Sequence, residues 1–211
     1  MKLLLLGAGG HAKAVIEVAR ACGIEIAGLV AEAPAGTSVM GVAVIGTDAD
    51  LPRLRAEGME AAFVAVGANA LRQLLAQRLC AMGFRLPSLV HPSAIISQSA
   101  SFGDGVVVMP LAFAGAETRI GDVSILNSAA IVEHDGRIAS AAHVAPGAVL
   151  AGDVVVGERS LIGVGAVVRP GIRIGADAVI GAGAAVVADV ADGSRVAGMP
   201  ARPLPERSRA R

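Results

Sequence analysis

The sequence predicts two parts, a small Rossmann-like α/β half over residues 1–85 and an all-β parallel β-helix with a C-terminal tail over residues 86–211. Three observations predict it. Strand-like and helix-like runs alternate as far as Arg85, a period of six runs from Val90 onward, and aromatic residues make up only 2% of the chain, with no Trp or Tyr.

The first half reads in order. "KLLLL" is a short apolar strand closed by "GAGG", and "HAKAVIEVARACG" places Ala14, Val15, Val18 and Cys22 at helical spacing before Gly23 stops the helix. "IEIAGLV" and "VAVI" are the second and third strands. "DADLPRLRAEG" is a helix started near Asp48 or Asp50, "AAFVAVG" a fourth strand and "NALRQLLAQRLCAMG" a last helix ending at Gly83. Strands alternating with helices imply a parallel sheet with right-handed crossovers.

After Pro87 the period changes. Steps of six from Val90 reach Ile96, Phe102 and Val108 and continue to Val186, with Ala114 the single small residue in the series. Four places after each stands a mostly small residue, from Ala94 and Ala100 to Ala184. One large and one small inward residue per hexad fits a coil whose flat faces meet at tight corners, and three hexads close a triangle. Its lumen is too narrow for indoles and phenols, which accounts for the missing Trp and Tyr.

Composition excludes several functions. The formal net charge is 0, so no long-range field draws the chain to nucleic acid or an anionic membrane. A hydrophobic fraction of 54% and a mean hydropathy of +0.65 invite a membrane reading, but no run approaches the roughly 20 apolar residues of a spanning helix. "MKLLLLGAGG" is too short and too glycine-rich for a signal peptide, so a cytoplasmic protein is expected. Cys22 and Cys80 are expected as reduced, buried thiols, and the basic tail "PERSRAR" as a solvated end. No metal-ligand spacing is present.

The stretch "ILNSAAIVEHDGRIASAAH" holds the strongest candidates. His134, third in its hexad, sits at a corner and points outward. Such a residue is ordinarily a solvated turn histidine, but Glu133 and Asp135 flank it, and a carboxylate can fix the imidazole tautomer and raise its basicity. His143 and Asn127 also face outward, as surface polar residues or as part of a site. Pro146, Val164 and Ala182, 18 apart, stack on one corner and leave room for an extended cofactor arm. "GAGGHA" gives Gly7, Gly9 and Ala12 a G-x-G-x-x-A spacing between strand and helix, which aims backbone N–H groups at a phosphate. Glu32 lies where a dinucleotide dehydrogenase wants its acid, so NAD stays an alternative, although no second nucleotide half follows residue 85. His11 is either a helix-start residue or a substrate contact, and His91 is expected to be structural.

The hexads "IGDVSI", "VGERSL" and "IGADAV", with "VAGMPAR", "GAGGHAKAVIEVA", "AVGAN", "LVHPSA" and "NSAAIVEHD", resemble the hexapeptide-repeat acyltransferases, which fold as a left-handed β-helix. Together they resemble bacterial sugar acetyltransferases that N-acetylate nucleotide-linked 4-amino-sugars or O-acetylate sialic acid. The resemblance implies His134 as catalytic base with Asp135 as its orienting acid and Asn127 beside the reacting centre. It implies contacts of His143, Val164 and Ala182 with acetyl-CoA, and of Gly9, Gly10, His11, Glu32 and Gly67 with the nucleotide sugar. The expected function is acetyl transfer to the amine of a UDP-, dTDP- or GDP-linked 4-amino-sugar for surface glycans, with no metal and no acyl-enzyme. Sialic acid O-acetylation and a non-catalytic scaffold that binds nucleotide sugars are the alternatives. His134 and His143 are nine residues apart, half a coil, so they point in opposite directions within one chain; if both serve one site, the protein is a homotrimer with its sites between chains.

Overall fold

A computed structural model describes residues 2–204; the basic tail expected to be a solvated end lies outside the described residues. The first half is a five-stranded sheet in the order β3-β4-β2-β1-β5. Its strands are β1 (Lys2–Leu6), β2 (Glu25–Val30), β3 (Ser38–Val39), β4 (Val42–Gly46) and β5 (Ala61–Val64). The helices are α1 (Gly10–Ala21), α2 (Leu51–Ala56) and α3 (Asn69–Ala81). β1 lies between β2 and β5 and is fully buried beyond Lys2, which suits an unbroken leucine run in a sheet covered on both sides.

Two details depart from the sequence reading, and one agrees with it. β3 pairs antiparallel with β4, so the edge of the sheet is a hairpin and only the remainder is parallel. The second helix starts where expected, at Asp48 and Asp50: Thr47 caps a short 3-10 turn over Asp48–Asp50, its backbone N–H donating to Asp50 Oδ2 at 2.9 Å in a capping box, and Asp50 is the N-cap of α2. Cys80 is exposed, and Cys22, the residue that caps the end of α1, is only half-buried, its thiol donating to Val90 O at 3.1 Å.

The second half is a parallel β-helix. Its two-residue strands stack on themselves at a register of 18, as in Phe113 with Ile95 on one side and Ile131 on the other. They form three sheets, one per face of the triangle. The hexad residues from Val108 to Val186 point inward and are buried, and Val90, Ile96 and Phe102 close the N-terminal end of the same core. Val106, Val154, Ile172 and Val190 stand at positions expected to be small and are also buried, so some corners admit a branched side chain.

The outward residues distinguish the faces. On the first face, Leu89, Val107 and Ile125 are buried against Leu3, Leu5, Val15 and Phe63 of the N-terminal half. The second face carries Ile95, Phe113, Ile131, Val149 and Val167, with Ile95 65% and Val167 44% exposed. The third presents Arg119, Arg137 and Arg173, all exposed. The two halves therefore share apolar clusters at their seam. His91 is structural as expected: its Nδ1 bonds the Ser93 hydroxyl at 2.8 Å and accepts the Ser93 N–H, holding the first turn of the β-helix.

Candidate active site

The corner after Ile131–Val132 holds His134 and Asp135. Asp135 adopts a left-handed conformation, φ 62°, which short polar side chains tolerate, and its carboxylate folds back onto the preceding ring. Asp135 Oδ2 lies 2.8 Å from His134 Nδ1, so the short carboxylate reaches the ring directly. The bond puts the proton on Nδ1 and leaves the Nε2 lone pair available. This hydrogen bond foremost, with the negative charge of Asp135, raises the pKa of His134. The edge of the ring rests on Gly152, one coil on: a Cβ there would sit 2.5 Å from both Cε1 and Nε2.

His143 belongs to the first face and does not bond His134. Its partner is Asn127. The backbone N–H of Ser128 donates to Asn127 Oδ1, which turns Nδ2 to donate to His143 Nε2 at 2.9 Å. The proton of neutral His143 therefore sits on Nδ1, making the ring a donor. Burial chiefly, then the nearby charge of Arg72, lowers its pKa to about 4. Asn127 thus serves His143 and stands apart from His134 within the chain.

His143 opens into a groove of about 450 Å³, within the size range of small-ligand sites. Gly67 and Asn69 line one side and Pro146, Leu161 and Val164 the other. The corner stack runs as expected, with Gly165 N–H donating to Pro146 O and Gly183 N–H to Val164 O. Ala182 is exposed on the following coil, beyond the groove lining.

At the other end of the seam is the glycine loop. Gly7 has φ 114° and a Cβ there would meet Ala65 O at 2.8 Å, so this glycine is required by strand packing. Gly9 caps α1 and Gly10 begins it, and a Cβ on either would meet nothing within 4 Å, so the space over the helix N-terminus is open. His11 lies beside Gly67; its Nε2 is buried without a hydrogen-bond partner, and burial with the charge of Arg72 lowers its pKa to about 4. Glu32 is exposed just past β2.

Sequence reasoning missed Gly152, Asn69 and Arg72. Gly152 is one of many glycines at hexad corners, and only its 18-residue offset from His134 signals a role. Asn69 and Arg72 are three apart on the face of α3 that also buries Ala76 and Leu79, so helical spacing places them inward, against the usual reading of a lone Arg as solvated.

A Rossmann-like sheet joined to a hexad β-helix with a His–carboxylate pair at a coil corner defines a hexapeptide-repeat transferase. Residues 2–79 match the family model described as PglD N-terminal domain, and residues 153–188 match that of the bacterial transferase hexapeptide, six repeats. The chain belongs to the hexapeptide-repeat sugar N-acetyltransferases. It is similar to PerB from Caulobacter crescentus, solved in complex with CoA and GDP-perosamine, at 46% identity and TM-score 0.94, covering 97% of this chain and 98% of that one. It is similar to the acetyltransferase domain of PglB from Neisseria gonorrhoeae, solved with acetyl coenzyme A, at 43% identity and TM-score 0.92, covering 96% and 98%. A UDP-N-acetylbacillosamine N-acetyltransferase from Bacillus subtilis is 47% identical over 47 residues, 22% of each chain. An uncharacterized protein L142 from Acanthamoeba polyphaga mimivirus is 32% identical over 122 residues, 58% of this chain; the chain thus spans 24% and 22% of the length of these curated relatives. Among the described residues, no helix is long and apolar enough to cross a membrane.

Proposed function

We propose that this protein transfers the acetyl group of acetyl-CoA to the amine of a nucleotide-linked 4-amino-sugar, drawing on the cytoplasmic acetyl-CoA pool for surface glycan synthesis. The observation that carries the reading is the His134–Asp135 pair, with a tautomer fixed at 2.8 Å and Nε2 left free to accept a proton. The acceptor amine attacks the thioester carbonyl directly as His134 takes its proton; the C–S bond then breaks and the proton is returned to the CoA sulfur. His143, neutral and donating from Nδ1, suits the thioester oxygen, and the groove past Val164 suits the pantetheine arm. The open helix N-terminus at Gly9 and Gly10, with His11 and Gly67 beside it, suits a nucleotide diphosphate.

We also infer a homotrimer. The first face of the β-helix is covered by the N-terminal half and the third is lined with arginine, whereas the apolar second face is left bare beside the His134 corner. Three copies joined through such faces bring the His134 of one chain toward the His143 of the next.

Similarity makes GDP-perosamine the first acceptor to assay. Free thiol release with GDP-, UDP- and dTDP-4-amino-sugars tests the reaction; turnover only with sialic acid would favour O-acetylation, and none with any acceptor would favour a binding scaffold. For assembly, refolding equal amounts of His134→Ala and His143→Ala chains together should regenerate about a quarter of native sites if each site takes one residue from each of two chains. Verified mixed trimers no more active than their parents would sink the shared site.

A further inference from the structure

Arg72 is 1% exposed and among the largest fully buried side chains, yet none of its partners is a carboxylate among the described residues. Its acceptors come from both halves of the protein. Nη1 donates to Gly67 O at 3.0 Å and Val66 O at 3.2 Å, in the turn after β5. Nε donates to Val123 O at 2.6 Å and Nη2 to Ala141 O at 2.7 Å, in the β-helix. Val123, Ala141 and Arg159 are 18 residues apart, at left-handed corners with φ 49°, 58° and 58°. Their carbonyls form a ladder along the seam, and Asn69 extends the grip to its third rung by donating from Nδ2 to Arg159 O at 2.7 Å. Asn69 Oδ1 in turn accepts from Arg72 Nη2 at 2.9 Å.

Burying a guanidinium without an anion is costly, and an apolar side chain would join two surfaces at least as well. What the planar fork supplies is direction, because its donors fix two backbones relative to each other within a hydrogen-bond length. One of those backbones is the Gly67 turn. The other, at Ala141, leads within two residues to His143.

We infer that Arg72, with Asn69, is a positioning residue that sets the register between the nucleotide-sugar site at Gly67 and the acetyl-CoA site at His143. The inference rests on the acetyltransferase reading above. Arg72 itself lines neither the His143 groove nor the open helix N-terminus, so each substrate still binds alone when only Arg72 is changed; what is lost is their alignment, and a misplacement of about 1 Å can cost roughly 100-fold in rate.

The test is Arg72→Lys, which keeps the charge but cannot reach both backbones. Dissociation constants of acetyl-CoA and of GDP-perosamine, each measured alone by calorimetry, should stay within about threefold of native, while kcat falls roughly 10- to 100-fold. A kcat within about twofold of native overturns the inference, as does a loss carried by weaker nucleotide-sugar binding alone. Should Arg72→Lys fail to fold, Arg72→Met keeps the packing of the seam without the fork and leaves the groove wall intact, and it should lower kcat roughly 10- to 100-fold at unchanged affinities; native kcat, or a fall matched by weaker binding, overturns the inference there too. A native protein without turnover would sink the acetyltransferase reading separately. The clasp is then read from amide exchange, which Arg72→Lys should speed at both 65–69 and 141–145; unchanged exchange overturns it.

Discussion

The His134 imidazole and the α-carbon of Gly152 are in direct contact across one coil, with room between them for a hydrogen and not for a methyl group. Gly152 is buried by that ring, and its backbone is not in the left-handed region, so alanine is tolerated in conformation and excluded only by the imidazole. Gly152→Ala should therefore push His134 off its position and lower kcat roughly 10- to 100-fold, with thermal stability and both KM values near native. Native kcat would show that the ring does not depend on this support.

His134→Ala should lower kcat roughly 10²- to 10⁴-fold. Only neutral His134 accepts a proton, so kcat/KM should rise with pH through a pKa held above the ordinary 6.5 by Asp135. Asp135→Asn keeps a hydrogen-bond acceptor but removes the charge, so the acidic limb should move to lower pH with a smaller loss in rate than His134→Ala. An unmoved limb in the pH–rate profile would disconnect Asp135 from the titration.

His11 and His143 are both lowered to about 4 by burial, with Arg72 adding to each. Between their ordinary 6.5 and about 4, the unfolded chain binds protons that the folded chain refuses. Their contribution is thus intact above pH 6.5, is lost as pH falls toward 4, and levels off below. Each contributes a slope of about 1.4 kcal/mol per pH unit in that window. His143→Gln should flatten the stability-versus-pH curve by about that amount, measured by denaturant unfolding at fixed protein concentration. Parallel curves would contradict a buried neutral His143.

A chain beginning at residue 86 should not behave as an independent domain. Leu89, Val107 and Ile125 would lose their cover from β1, α1 and β5, and an apolar strip of this kind drives association. The truncated protein should aggregate or bind a hydrophobic dye, and threonine at those three positions should restore solubility; a soluble fragment without these changes would show the seam to be weak. The full chain should melt in one transition.

The period of six was readable because burial repeats at every coil, so one composition rule is written many times over. The β3–β4 hairpin was not, because Ser38–Val39 is only two residues long inside a run of glycine and small residues that reads as a loop. The His134–Asp135 contact was readable because the residues are adjacent. Asn127 with His143 was not, since a 16-residue offset joins neighbouring coils diagonally and no propensity encodes it. Arg72 escaped for a related reason: its acceptors are backbone carbonyls, which every residue has, so nothing in the side chains around Val123 or Ala141 announces the bond.

The fixed register of Ile95, Phe113 and Ile131 also governs how such a chain can change length. One inserted residue would turn every later hexad inside out, whereas an insertion of one full turn adds a storey about 4.8 Å high and leaves the inward pattern whole. Growth is therefore quantised, and storeys added beyond Val164 would deepen the cleft that starts at His143 without touching the corner where His134 rests. Depth of berth and chemistry at its mouth are separate inheritances of one repeating thread.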